Sequence, residues 1–158
     1  MDELQVRLAI ESDLPSVAVA WRHLQEFHVS LGLSFPLESD SQDKWLASFQ
    51  RTLGRFSFLW VVEDTGKVKA FLLARVKQSP SFLGGVQVGE ISDLYVDDSM
   101  RGTGIGTRLV DIAMDKFEQL KVHSVEVQIQ SGNDSGLAFW QKLGFKQDLT
   151  LVRKILAD

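Results

Sequence analysis

Residues 90–107 read Glu90-Ile91-Ser92-Asp93-Leu94-Tyr95-Val96-Asp97-Asp98-Ser99-Met100-Arg101-Gly102-Thr103-Gly104-Ile105-Gly106-Thr107. The stretch begins in an apolar, β-prone run, Val88–Val96, that reads as a strand. It ends in Ile105, Leu109, Ile112, Lys116/Phe117 and Leu120, which recur at the spacing of an amphipathic helix. Between the two, Gly102, Gly104 and Gly106 let the backbone approach a ligand and aim successive N–H groups at one point. A helix start adds unpaired donors and the positive end of a dipole, so the turn predicts a pocket for phosphate oxygens. Two nucleotide motifs fail here. A Walker loop needs Gly-Lys-Ser/Thr, but Gly66-Lys67 continues with Val68. The dinucleotide fingerprint needs a glycine three residues after Gly106, where Leu109 stands.

Downstream, Val122–Gln130 alternates Val125, Val127 and Ile129 against Glu126 and Gln128, as a strand does. Ser131-Gly132-Asn133-Asp134 turns into a short helix, Ser135–Leu143, closed by Gly144; Phe145–Leu156 then reads as a last strand or pair of half-strands. Upstream, Leu4–Ile10 alternates with period two. Ser12 or Asp13 is placed to cap a helix that has Pro15 in its first turn, carries Val17, Trp21 and Leu24, and stops at Gly32. A second helix carries Trp45, Phe49 and Leu53 and ends at Gly54. Phe56–Glu63 and Lys67–Lys77 form a hairpin about Asp64-Thr65-Gly66, and Gln78–Gln87 is a loop. The order β-α-α-β-β-β-α-β-α-β predicts one α/β domain spanning residues 1–158, a mixed sheet with helices on both faces.

The chain has 158 residues, 44% of them hydrophobic and 24% charged, the composition of a globular domain with a sizeable core. Seventeen Lys and Arg against 21 Asp and Glu give a net charge of −4, which argues against general capture of nucleic acid or of an anionic membrane. The absence of cysteine removes disulfides, thiolate nucleophiles and Cys-ligated metal sites. His23 and His28, five residues apart, lack the spacing of a shared metal face, and His123 stands alone, so no metal is expected. Met1-Asp2-Glu3-Leu4 shows no leader-like pattern and no run reaches membrane-span length, which gives a cytoplasmic expectation.

Arg101-x-x-Gly104-x-Gly106 after a strand ending in Val96, together with Glu90 on that strand, the strand–turn Val125–Asn133 and Ala138-Phe139-Trp140-Gln141-Lys142-Leu143-Gly144-Phe145, resembles the GNAT superfamily of N-acetyltransferases. Asn133 stands seven residues before the aromatic position, as in that family. The resemblance covers essentially the whole chain. It implies a mixed, mostly antiparallel sheet with two splayed parallel central strands, Val88–Val96 and Val122–Gln130, with acetyl-CoA as co-substrate in the wedge between them. By the same resemblance, the pantetheine arm would pair with the main chain of Leu94, Tyr95 and Val96, and backbone donors from Arg101, Gly102, Thr103, Gly104, Ile105, Gly106 and Thr107 would hold the pyrophosphate. Asn133 would bond the arm, Trp140 would pack beside the thioester, and a main-chain N–H of the Leu94–Val96 stretch would stabilise the oxyanion.

The acceptor implied is a primary amine. Freeing the lone pair of an amine with pKa near 10.4 at pH 7 costs roughly 4–5 kcal/mol, comparable to what a placed base supplies. Glu90 is the first candidate base and Asp93 the second. A regular strand would put Glu90, Ser92, Leu94 and Val96 on one face and Asp93 and Tyr95 on the other, so only one acid would face the amine. The family usually has a Tyr where this chain has Trp140; an indole N–H donates a hydrogen bond but gives up no proton, so either the thiolate leaves with hydrogen-bond or solvent help or another hydroxyl substitutes, with Tyr95, the one tyrosine, a candidate. Ser30–Asp43 and Gln78–Gly89 are the expected acceptor walls, and Glu38, Asp40 and Asp43 either favour a cationic acceptor or solvate the surface. Trp21, Phe27 and Trp45 stand at core spacing. Direct transfer from acetyl-CoA to an amine in a ternary complex is thus expected, with a non-catalytic acyl-CoA sensor as the alternative reading and a homodimer as a further possibility.

Overall fold

The computed structural model describes residues 4–157; Met1-Asp2-Glu3, read above for a leader, lie outside them. The elements run β1 (Val6–Leu8), α1 (Leu14–Ser30), α2 (Ser41–Gln50), β2 (Ser57–Asp64), β3 (Lys67–Gln78), β4 (Gln87–Val96), α3 (Ile105–Gln119), β5 (Ser124–Val127) and α4 (Asp134–Lys142). They build one five-stranded sheet in the order β1-β2-β3-β4-β5. It is antiparallel as far as β4 and parallel between β4 and β5.

Strand alternation splits the sheet's side chains between two cores. Phe58, Trp60, Val62, Leu72, Ala74 and Ile91 face α3 and α4, where Leu109, Val110, Phe117 and Trp140 close over them. Leu59, Val61, Phe71 and Leu73 face α1 and α2, against Leu14, Val17, Trp21 and Phe49. Each strand of the hairpin is buried on both faces, which explains its nearly unbroken apolar run. At Gly89 the backbone of β4 lies so close to α3 that a Cβ would stand 2.7 Å from the ring of Phe117.

Local chemistry explains where elements stop. Asp13 precedes α1 but does not cap it with its side chain. Its carboxylate instead accepts from the Ile10 N–H at 2.8 Å and takes Arg7 in a two-pronged pair at 2.7 and 2.9 Å. The second helix ends at Gln50, short of the expected Leu53. The Phe49 carbonyl is taken by the Thr52 N–H at 2.9 Å and by the hydroxyls of Thr52 and Ser57 at 3.0 and 3.1 Å, which turns the chain into β2.

Two expectations are corrected at the C-terminal side. The strand expected over Val122–Gln130 is paired only from Ser124 to Val127. The strand expected over Phe145–Leu156 does not form: Phe145 packs against Trp140, while residues 146–157 are exposed and belong to no sheet. Among the described residues β5 is therefore an edge strand.

Candidate active site

The site is created by one irregularity in β4. Leu73 lies opposite Asp93 and Ala74 opposite Ile91, so Ser92 is an extra residue, a β-bulge. A bulge bends its strand and increases the twist. Immediately beyond it β4 and β5 separate, their pairing ending at Ile91 and Val127. Leu94, Tyr95 and Val96 remain paired with Leu72, Phe71 and Ala70 of β3, and among the described residues no strand covers their other edge. An open main-chain edge inside a sheet is what an extended amide-bearing chain needs as a pairing partner.

The bulge also reverses the expectation that Glu90 and Asp93 point to opposite faces. Glu90 lies opposite Arg75 and Asp93 opposite Leu73, and both partners face α1 and α2. Glu90, Asp93 and Tyr95 therefore share one face, while Ile91, Leu94 and Val96 share the other.

The two acids live in different surroundings. Glu90 accepts from Lys77 Nζ at 3.0 Å and from the Ser92 hydroxyl at 3.2 Å, and Lys77 also pairs with Glu126 of β5. Both carboxylates hold the Lys77 ammonium above its ordinary pKa. Asp93 is half-buried and accepts from Trp45 Nε1–H at 3.3 Å. Burial pushes its pKa up to about 6, against the opposing pull of the Trp45 N–H, the Arg75 charge and Trp21. Trp45 is stacked on Trp21 with ring centres 5.1 Å apart, which fixes the donor. The sequence spacing marks both tryptophans as core; their polar role depends on α1, which carries Trp21, and α2, which carries Trp45, meeting β4, which no local pattern shows.

The glycine-rich turn presents a run of main-chain donors. Gly102 and Gly104 have φ of +76° and +82°, a region that favours glycine. Among the described residues, none of the six main-chain N–H groups from Gly102 to Thr107 donates a hydrogen bond. Unpaired runs of backbone donors are rare in folded proteins, and these lead into the first turn of α3. Arg101 does not contribute its own N–H to that run, because it donates to the Asp98 carbonyl. Its guanidinium pairs with Asp98 at 3.1 Å.

Asn133 caps α4, its Oδ1 accepting from the Gly136 N–H at 3.0 Å. That leaves its amide NH2 as the group able to serve a ligand. Trp140 projects from α4 into the core it shares with α3 and the sheet, edge-on to Phe139 and Phe145 with centres 5.1 Å away. Tyr95 faces α1, near the ring of His23, and its hydroxyl donates to Asp97 at 3.4 Å. Burial and the Asp97 charge raise its pKa, so it keeps its proton. Together with Phe27, Asp98 and Arg101, these residues line a cleft beside the glycine-rich turn. Of the acids in the first wall, Glu38 and Asp40 are both paired with Lys44, at 3.5 and 3.1 Å, which is the solvated-surface alternative. Among the described residues, no group of three or more His, Asp or Glu is arranged to hold a metal ion, and no helix is long and apolar enough to cross a membrane.

A mixed sheet whose parallel strands part at a bulge, with a donor-lined turn at the start of the next helix, matches the architecture of GNAT acetyltransferase structures. Residues 21–145 match the family model described as Acetyltransferase (GNAT) family, and the chain belongs to that family. It is an acetyltransferase. The chain is 30% identical over 145 residues to the glucosamine 6-phosphate N-acetyltransferase of Trypanosoma brucei brucei, covering 91% of this chain and 90% of the relative. It is 26% identical over 142 residues to the L-amino acid N-acyltransferase MnaT of Escherichia coli K12, covering 90% and 79%. In three dimensions it resembles a mutant of the BH1408 protein of Bacillus halodurans, with a TM-score of 0.81 and 26% identity, covering 97% of this chain and 100% of that one.

Proposed function

We propose that the protein transfers the acetyl group of acetyl-CoA to a primary amine by direct attack in a ternary complex. The carrying observation is the run of six free N–H groups, Gly102 to Thr107, beside the open main-chain edge of Leu94–Val96. That run is the cradle for the pyrophosphate and the edge takes the pantetheine amides, with the Asn133 amide as a further donor. This placement carries the thioester toward the bulge, where Glu90 and Asp93 share a face.

The amine nitrogen attacks the thioester carbonyl carbon, forming the C–N bond, and the carbonyl oxygen takes the negative charge. A main-chain N–H of the Leu94–Val96 stretch stabilises that charge. The ammonium proton passes to a carboxylate, directly or through water, the C–S bond breaks, and CoA leaves as the thiolate. Asp93 takes that proton, because a pKa of about 6 lies near working pH. Glu90, held by Lys77 and Ser92, orients the amine. Trp140 packs in the core and serves as no acid, so the thiolate departs with help from solvent or from the Tyr95 hydroxyl.

The relatives named for glucosamine 6-phosphate and for L-amino acids support a small, amine-bearing acceptor. The test is thiol release from acetyl-CoA across a panel of amino sugars, their phosphates, amino acids and polyamines. Release dependent on a primary amine is expected. Acetyl-CoA binding without release from any amine would instead support the sensor reading.

A further inference from the structure

A row of charged side chains crosses the sheet on the face that Glu90 and Asp93 share. Arg75 of β3 stands opposite Glu90 of β4, and Glu90 stands opposite Glu126 of β5. Directly opposed residues project to the same face, so the three lie side by side. Such a row invites an ion pair between Arg75 and Glu90, yet among the described residues none forms. Both Glu90 oxygens are engaged elsewhere, Oε2 by Lys77 at 3.0 Å and Oε1 by the Ser92 hydroxyl at 3.2 Å. Lys77 pairs with Glu126 as well, so one ammonium serves both acids of the row.

Arg75 is left without an acid, and its guanidinium is nonetheless held in place. Nη2 donates to Ser48 Oγ at 3.0 Å, while the Ser48 hydroxyl donates to the Trp45 carbonyl at 2.6 Å. The guanidinium carbon lies over the ring of Phe49, 5.6 Å from its centre. Among the described residues nothing accepts from Nη1, and nothing accepts from Nε although that nitrogen is buried. Buried donors in folded proteins are nearly always paired, so this one calls for an acceptor that the chain does not supply. A guanidinium fixed by two residues of α2 and denied the neighbouring carboxylate is a preformed receptor for an oxyanion.

The place of Arg75 relates that receptor to the chemistry. Asp93 lies opposite Leu73, two residues from Arg75 along β3, which makes Arg75 and Asp93 diagonal neighbours on one face. Such neighbours stand roughly 7–8 Å apart in a sheet. An amine at Asp93 and an oxyanion at Arg75 therefore fit within one small molecule.

We infer that the acceptor carries an oxyanion, a carboxylate or a phosphate, a few bonds from its amine, and that Arg75 binds it. This rests on the amine-acetylation reading, since it names the acceptor class for that same site. Diamines and polyamines, which offer Arg75 only cations, are poor acceptors.

The test compares kcat/KM for α-amino acids with that for their carboxamides, and for amino-sugar phosphates with that for the parent amino sugars. Wild type, Arg75→Met and Arg75→Lys are measured, and the same ligands are titrated by calorimetry into each protein saturated with CoA. In wild type the charged member of at least one pair should be favoured tenfold or more, in rate and in binding. Which pair shows the preference tells carboxylate from phosphate. Arg75→Met should bring the ratio within threefold, chiefly through KM. Arg75→Lys, which keeps the charge and loses the fork, should give an intermediate ratio, and it carries the test if Arg75→Met does not fold. Equal use of charged and neutral partners by wild type, or a diamine used better than either, would overturn the inference and leave amine acetylation standing. So would a ratio unchanged in both variants. Binding of the charged ligands that depends on Arg75, with no thiol release from any amine, would do the reverse: the oxyanion site stands and the acetylation reading falls.

Discussion

The carboxyl of Asp93 is caught between opposing forces: half-burial disfavours its charge, while the indole N–H of Trp45 and the Arg75 guanidinium favour it. Burial wins, at a pKa of about 6 against an ordinary 3.8. The sign of the linkage follows. Between about pH 4 and 6 the folded protein keeps a proton the unfolded chain has lost, so this group's contribution to stability falls as pH rises through that window. At about 1.36 kcal/mol per pKa unit the loss is on the order of 3 kcal/mol at most. Asp93→Asn should remove that slope and raise Tm at pH 8 relative to wild type, measured by thermal melts at pH 4, 6 and 8. If Asp93 accepts the ammonium proton, kcat/KM in wild type rises with pH through about 6, and the variant loses that limb with a rate loss of about 10²–10⁴. Glu90→Gln should keep the limb and lose less. A limb that vanishes in Glu90→Gln and survives in Asp93→Asn would exchange the two roles. The alternation of residues 90–96 gave no access to this pairing of the acids. A bulge is an event between two strands, and Ser92 looks like any other strand residue until β3 is laid beside it.

At the scale of elements, the turn between β4 and α3 was legible because its requirements are local. Positive φ at Gly102 and Gly104 selects glycine, and a helix start leaves donors whatever the rest of the chain does. Nothing stands within 4 Å of a Cβ built on Gly104, so space is not what selects glycine there; its φ of +82° is. Gly104→Val should therefore distort the cradle. Acetyl-CoA affinity measured by calorimetry should fall at least tenfold, about 1.4 kcal/mol or more, in a protein that still folds. Gly89 poses the reverse case, with room and not φ the constraint. Gly89→Ala would push a methyl into the buried ring of Phe117 and should cost about 1–3 kcal/mol in chemical denaturation, with little change in cofactor affinity per folded molecule. Neither the early end of α2 nor the absence of a final strand could be read from periodicity. The first depends on hydroxyls of Thr52 and Ser57 meeting the Phe49 carbonyl, the second on strand pairing, which residues 146–157 do not make among the described residues.

For the molecule as a whole, the wedge joins the two halves of the chain, because β4 closes the antiparallel hairpin while β5 follows α3. A ligand that bridges the β4 edge, the start of α3 and the cap of α4 binds only the folded chain, and so stabilises all of it. At a hundred times its Kd, acetyl-CoA should add about 2.7 kcal/mol, which for a domain of this size raises Tm by roughly 5–11 °C. ATP and NAD should leave Tm unchanged, in keeping with the failed nucleotide motifs; a shift with either equal to that with acetyl-CoA would refute the assignment of the cradle. The sequence by itself determined the order of elements from β1 to α4, the glycine-rich turn that opens α3, the family resemblance and the set of candidate acids, since each depends on periodicity, on glycine's φ or on residues close together in the chain. Only the tertiary structure decided that Glu90 and Asp93 share a face, that Trp45 holds Asp93, that Trp140 is a core group and that, among the described residues, 146–157 join no sheet. Those facts are set by register and burial between segments far apart in sequence, where pairing and packing, not local preference, fix the energy.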